Sequence, residues 1–438
     1  MENWLARAAR MRGDRAALDG PAGAVGYAEL FDRASRAAGG LRELGVEAGD
    51  RVALALSGQE LVVALHGCLL IGAAAVPIDL RLGESERASR VAGTALVVKE
   101  PLAGAPLAPE GPDASVAPHA GAGAETATVM YTSGTTAGPK EVLLSYDNWQ
   151  WNAIGSALAL GLDRHERWLC PMPLAHVGGL SIQIRSAIYG TTVVLHPRFQ
   201  VDAVLAALTD PGQRVTLVSL VPTMLSRLLE AGLRDPPALR WVLLGGGPIP
   251  PALLERARAA NVRVAPSYGM TEACSQIATN GWPLFGFELR IAGDGEVLVR
   301  GPAVAAGALA GDGWLHTGDL GALDERGRLS IHGRKADTIV SGGENVAPVE
   351  VEAALLSHPE VADAAVLGRP DREWGEAVVA KVVARPGTAP EPEELRRHCA
   401  AQLAPFKVPK RIELVDSLPR GATGKLLRRQ LGEVDEGG

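Results

Sequence analysis

Residues 131–140 read Tyr-Thr-Ser-Gly-Thr-Thr-Ala-Gly-Pro-Lys and follow an apolar run at 126–130. The stretch gathers the hydroxyls of Thr132, Ser133, Thr135 and Thr136, the glycines Gly134 and Gly138, and the ammonium of Lys140. Such a loop can offer backbone N–H groups, hydroxyl donors and a cation to a polyphosphate. It is not a Walker A loop, which needs four residues between its glycines and then Lys-Ser or Lys-Thr. Here three residues separate Gly134 from Gly138, and Glu141 follows Lys140. The alternative is a hydroxyl-rich turn between two strands.

Further segments carry chemistry-bearing types. Gly245, Gly246 and Gly247 end one apolar run and open an amphipathic one. They suit close approach of a flat ligand to backbone, or simply a tight turn. In 267–272, following another strand, Tyr268 beside Gly269 can stack on a base, Thr271 can bond a phosphate and Glu272 can hold Mg²⁺. Magnesium takes oxygen ligands, commonly one or two carboxylates with substrate phosphates. Asp319, after Gly318, can accept both hydroxyls of a ribose, or be a turn aspartate. Lys425 sits in a glycine-containing loop, 418–425. A mobile ammonium there can neutralise charge growing between a carboxylate and a phosphate, although most lone lysines are simply solvated.

These segments need a scaffold. Valine- and leucine-rich runs at 51–56, 94–98, 191–196, 215–221, 241–244 and 262–265 alternate with amphipathic stretches at 27–44, 201–208, 223–231 and 251–260. That alternation predicts α/β layers around buried, largely parallel sheets. Residues 61–78 predict a buried helix, a turn and a strand, because Gly72 and Pro77 punctuate them. The Pro-, Ala- and Gly-rich stretch 101–124 reads as a loop or linker. After about residue 281, short alternating segments at 296–300 and 328–332 predict antiparallel β structure. From about 337 a compact α+β unit follows: helices at 349–356 and 391–403, and strands at 362–367, 377–383 and 411–415.

A chain of 438 residues exceeds one ordinary core, so two or more domains are expected. A net charge of −7 argues against a nucleic-acid partner, whose phosphates need a basic surface. The four cysteines, Cys68, Cys170, Cys274 and Cys399, are too scattered for a zinc site or a disulfide scaffold. No signal-peptide core is present at the N-terminus, and the reading is a cytoplasmic protein without stable membrane insertion.

In this order, over residues 27–429, these segments resemble the adenylate-forming acyl-CoA synthetase superfamily. The resemblance implies a large N-terminal domain, residues 1–335, of two α/β subdomains and a β-barrel-like part. A small mobile α+β domain, residues 336–438, follows. It implies an AMP-forming acid–thiol ligase: a carboxylate attacks Mg·ATP to give acyl-adenylate and pyrophosphate, and the thiol of CoA then takes the acyl group. Thr132, Ser133, Gly134, Thr135, Thr136 and Lys140 would hold the β- and γ-phosphates. Gly245, Gly246, Gly247, Tyr268 and Gly269 would line the adenine. Thr271 and Glu272 would serve phosphate and Mg²⁺, Asp319 and Arg334 the ribose, and Lys425 the adenylation step. Lys335, Ala336 and Asp337 would form the hinge, with Gly342 and Gly343 near the pantetheine path.

Residues 144–198 look like the o-succinylbenzoate–CoA ligases of menaquinone biosynthesis. By that likeness His176 would border the acyl pocket, and Gly178, Gly179 and Ser181 would leave room for a benzoyl ring. Arg185 is a candidate for the second carboxylate of a diacid, or else a structural helix arginine. A ligase for another aromatic or short-chain acid, an enzyme loading a carrier protein, and a non-catalytic nucleotide binder remain open. A homodimer is compatible with any of these. The chain departs from the family at Ala137 and Glu141, where glycine is usual, in a short segment at 276–281, and at Ala336, where a polar hinge residue is common. A carboxylate at 141 would repel a triphosphate unless it points away.

Overall fold

The structure, a computed structural model, describes residues 3–107, 125–132, 140–420 and 426–431. Ser133, Gly134, Thr135, Thr136, Ala137 and Lys425 lie outside the described residues.

The apolar runs become strands buried on both faces. A nine-stranded sheet runs in spatial order Trp282–Pro283, Ser275–Thr279, Val264–Met270, Trp241–Leu244, Leu217–Leu220, Arg167–Cys170, Thr192–Leu195, Ala16–Asp19, Val25–Gly26. From Val264–Met270 to Ala16–Asp19 every pairing is parallel, and antiparallel hairpins close both edges. The chain steps from Arg167–Cys170 to Thr192–Leu195 on one side, then returns to Leu217–Leu220 on the other. In open α/β sheets, ligands bind outside the carboxyl ends of the strands at such a reversal. The segment leaving Arg167–Cys170 at that end leads to His176.

A second, five-stranded sheet runs Leu96–Val98, Arg51–Leu54, Ala74–Pro77, Thr126–Thr132, Lys140–Ser145, parallel but for the last strand. Ser145 then starts the helix Tyr146–Leu160 with a capping box. Its Oγ accepts from Asn148 N, and Asn148 Oδ1 accepts from Ser145 N. Two otherwise orphaned backbone donors are satisfied, which fixes the entry of the helix.

The part expected to be barrel-like is a four-stranded antiparallel sheet, Glu288–Ile291, Glu296–Arg300, Leu315–Leu323 and Leu329–Arg334. Beyond it, Ile339–Ser341, Glu344–Val346, Val361–Asp371, Gly375–Ala384 and Arg411–Leu414 form another sheet. The core there, from Ile339 to Ile412, is separate from the others. Gly342 and Gly343, at φ +60° and +84°, make the two-residue turn of its first hairpin, a geometry costly for other residues.

Three expectations shift. Residues 267–270 are not a loop after a strand but the end of Val264–Met270, prolonged by pairing with Ser275–Thr279. Gly269 permits that pairing, since a Cβ there would overlap the carbonyl of Ser275. Asp319 lies inside the strand Leu315–Leu323 rather than in a turn. The helix expected over 391–403 is Pro392–Ala400.

The Glu141 carboxylate is taken up by two side chains of its own sheet. Its two oxygens lie 3.0 Å from Arg51 Nη1 and 3.0 Å from the Tyr131 hydroxyl. The Arg90 guanidinium covers the Tyr131 ring at 4.4 Å. Burial, then the bond to Glu141, pushes the Tyr131 phenol up to about 12, so it stays a donor at neutral pH. Glu141 therefore ties its strand to Tyr131 on the neighbouring strand and to Arg51 on a strand further across the same sheet. Glu141→Gly should lower the melting temperature and leave the KM for MgATP unchanged; a lower KM would show that the carboxylate repels the phosphates.

His66 is buried within the helix Gly58–Ile71, and burial lowers its pKa to about 4. An unfolded histidine titrates near about 6.5. Between these values the unfolded chain binds the extra proton, so the His66 contribution is present above the window and lost as pH falls through it. The urea midpoint of His66→Leu should fall less than that of the parent between those two pH values.

Candidate active site

Three residues far apart in the chain meet at one carboxylate. Asp319 is buried, pairs across strands with Arg334, and accepts from Arg334 Nε at 3.0 Å on Oδ1. The Tyr268 hydroxyl donates to Oδ2 at 2.8 Å. Burial, then the charge of Asp319, holds the Tyr268 phenol well above its ordinary range, so it remains a donor. A carboxylate has about four acceptor sites, which leaves room on Asp319 for the ribose hydroxyls expected there.

Glu296 ties this strand to the next candidate segment. Its Oε1 accepts from Gly318 N at 2.8 Å, and its Oε2 lies 3.5 Å from Lys335 Nζ. Lys335 also meets Asp294 Oδ2 at 2.5 Å, and that bond raises its pKa. Asp337 pairs with Arg428 Nε at 3.2 Å, while Ala336, between them, is exposed. The expected hinge is thus bracketed by ion pairs on both sides.

Thr132 and Lys140 face each other across the hairpin that opens and closes the hydroxyl-rich loop. The 3₁₀ turn Thr271–Ala273 packs against both of these strands. Cys274 and Ser275 follow at φ 57° and 98°, values that cost non-glycine residues energy and concentrate at functional sites. The Thr271 hydroxyl and Glu272 carboxylate are hard oxygen donors on a turn packed against the two strands that flank the hydroxyl-rich segment, a donor set that fits Mg²⁺ shared with phosphates. Gly245 lies so close to Ser267 that a Cβ would sit 2.9 Å from its carbonyl oxygen. Gly246 needs φ +81°, and Gly247 borders open space.

On the acyl side, His176 caps the helix Val177–Tyr189. Gly178, Ser181 and Arg185 share one helical face by their spacing. Ser181 is buried and donates to the Gly178 carbonyl. The room expected from Gly179 is corrected: a Cβ there would overlap the Pro173 carbonyl, so this glycine serves backbone approach.

Arg185 is 1 % exposed. Its Nη2 donates to Asn152 Oδ1, its guanidinium lies 5.8 Å from the Trp168 ring, and its Nε and Nη1 have no partner. No carboxylate among the described residues pairs with it, and burial lowers its pKa. Asn152 Nδ2 donates to the Gln276 carbonyl at 2.9 Å, and Ser156 Oγ to Gln276 Oε1 at 2.8 Å. Gln276, which opens the short segment, therefore holds Asn152, the partner of Arg185.

Sequence reasoning missed Asn152, Glu296 and Asp79. Asp79 lies just beyond Ala74–Pro77, at the carboxyl end of a parallel strand, which is the signal that could have found it. Its carboxylate bonds His176 Nε2 at 2.9 Å.

The AMP-binding enzyme family matches residues 5–98 and 91–309, and the AMP-binding enzyme C-terminal domain matches 350–425. The chain is 40% identical to a 2-succinylbenzoate–CoA ligase of Bacillus licheniformis, covering 98% of this chain and 99% of the relative. The solved o-succinylbenzoate CoA synthetase of Bacillus subtilis, in complex with its acyl-adenylate intermediate, superposes with a TM-score of 0.87 at 38% identity, covering 99% of this chain and 98% of that one. The same enzyme in complex with ATP and magnesium ion gives 0.87 at 38%, covering 98% and 99%. With both its domains matched and its length covered throughout, the chain belongs to the AMP-binding enzyme family.

Proposed function

We propose that this chain is an ATP-dependent 2-succinylbenzoate–CoA ligase. The observation that carries the substrate is Arg185. A buried guanidinium with two unpartnered nitrogens is expensive unless an anion arrives. An acid with a second carboxylate, entering beside Gly178 and Ser181, supplies that anion and leaves its reacting carboxylate toward the phosphate loop. The full-length likeness to 2-succinylbenzoate–CoA ligases supports the same acid.

In the proposed cycle, the reacting carboxylate attacks the α-phosphorus of ATP. The new bond is acyl O–P, and the bond to pyrophosphate breaks. The CoA thiol then attacks the acyl carbon, loses its proton, and AMP leaves. Residues 132–140 cradle the β- and γ-phosphates, and Lys425 neutralises charge developing at the α-phosphate. Gly245, Gly246, Gly247 and Tyr268 bound the adenine, and Asp319 with Arg334 holds the ribose. Thr271 and Glu272 would hold Mg²⁺, which offsets phosphate charge. The unit beyond residue 335 turns about Lys335–Asp337 between the half-reactions and brings Gly342 and Gly343 to the pantetheine, so one pocket serves two reactions. No helix among the described residues is long and apolar enough to cross a membrane. A cytoplasmic location is part of the proposal, by the likeness to CoA ligases that act on small molecules.

Incubation with 2-succinylbenzoate, MgATP and CoA should release pyrophosphate and AMP and give the thioester by mass. Release only with a different acid would overturn the substrate, and adenylate accumulating despite excess CoA would overturn the acceptor. Arg185→Met should raise the KM for the diacid about 10- to 100-fold, the worth of a charge-assisted hydrogen bond. The variant should not lower the melting temperature, because it removes an unpaired buried charge. A lower melting temperature with an unchanged KM would make Arg185 structural.

Lys425→Ala should abolish adenylation yet spare thioester formation from supplied acyl-adenylate. Equal loss in both steps would refute its role.

A further inference from the structure

Asp79 is buried and its four acceptor positions are filled. Oδ1 accepts from Arg81 N at 3.1 Å and Arg81 Nε at 2.8 Å. Oδ2 accepts from Arg81 Nη2 at 2.6 Å and His176 Nε2 at 2.9 Å. A carboxylate so surrounded is acceptor-only, so the proton in its contact with His176 must reside on Nε2. Arg81 Nη2, 3.3 Å from that nitrogen, cannot then donate to it. The ring is fixed in one orientation and one tautomer, and only Nδ1 remains available to a substrate.

The two partners come from different sheets. Asp79 follows Ala74–Pro77 of the five-stranded sheet, which lies beside Thr126–Thr132, the strand that opens the phosphate loop. His176 caps the helix that carries Gly178, Ser181 and Arg185 on the nine-stranded side. The acid is 7 % exposed and the imidazole 34 %, so the carboxylate is the buried anchor and the ring is the part that meets the crevice.

We propose that Asp79 is a positioning residue for adenylation: through His176 it fixes the acyl helix against the sheet that bears the phosphate loop, and so aligns the acid carboxylate with ATP. The clamp rests on the ligase reading for its reaction. Its geometry rests on Asp79, Arg81 and His176 alone. Burial opposes ionisation of Asp79, but its hydrogen bonds to Arg81 and His176 outweigh it and hold the carboxyl far below its ordinary range.

Asp79→Asn should cut kcat/KM for the acid in pyrophosphate release about 10- to 100-fold, the size of a lost charge-assisted bond, with the KM for ATP unchanged. On a His176→Ala background the same substitution should have little further effect, because coupled residues are not additive. The same fold-loss on both backgrounds would make Asp79 a fold residue and overturn the proposal. Nitrogen-15 spectra of the parent should show His176 protonated at Nε2; an Nδ1–H tautomer would overturn the clamp even if Asp79→Asn fails to fold. Should the parent accept a different acid, the substrate reading falls. The coupling and the ring signal, measured with that acid, still decide the clamp.

Discussion

The buried carboxylate of Asp319 is the point on which the junction of the nine-stranded and four-stranded sheets depends. A buried anion must be surrounded by donors, and its donors come from two sheets. Tyr268 reaches it from the end of the nine-stranded sheet, and Arg334 from the last strand before Lys335. One charge thereby fixes where the large sheet ends, where the antiparallel sheet sits against it, and where the chain may begin to turn. Removing Asp319 would take the acceptor from both the Tyr268 hydroxyl and the Arg334 guanidinium, and removing either donor would leave the buried carboxylate with one hydrogen bond fewer.

The acyl side shows the opposite economy. Arg240, only partly buried, belongs to a finished site: it reaches the buried Glu166 at Oε2, 2.5 Å away, and the Gly161 carbonyl at 2.9 Å. Arg185, deeper still, has an amide, a ring face and two unused nitrogens. The chain thus contains one guanidinium with a carboxylate partner and another that has none among the described residues. In the proposed function the second is the one left for the substrate.

The layers and the motif order were legible in the sequence, because parallel strands read as apolar runs and because glycines and hydroxyls mark the loops. Side-chain direction was not. Glu141 follows the hydroxyl-rich segment, and only the folded structure shows that its side chain meets Arg51, ninety residues away. Gly179 reads as spare room until the Pro173 carbonyl is seen to occupy it. Asp79 has no local signature at all, since its partner His176 is 97 residues distant. Ser133, Gly134, Thr135, Thr136 and Lys425 rest on the family likeness, being outside the described residues.

The ion pairs at Lys335 have a consequence for control. Lys335 and Asp294 are both about half exposed, and solvent-screened pairs of this kind contribute little. In the proposed cycle such a contact defines a resting pose without holding the protein in it. The decision between making the adenylate and consuming it then belongs to whatever occupies the crevice. In that cycle the enzyme would behave less like a spring-loaded switch than like a balance, its next step read from the ligand on the pan.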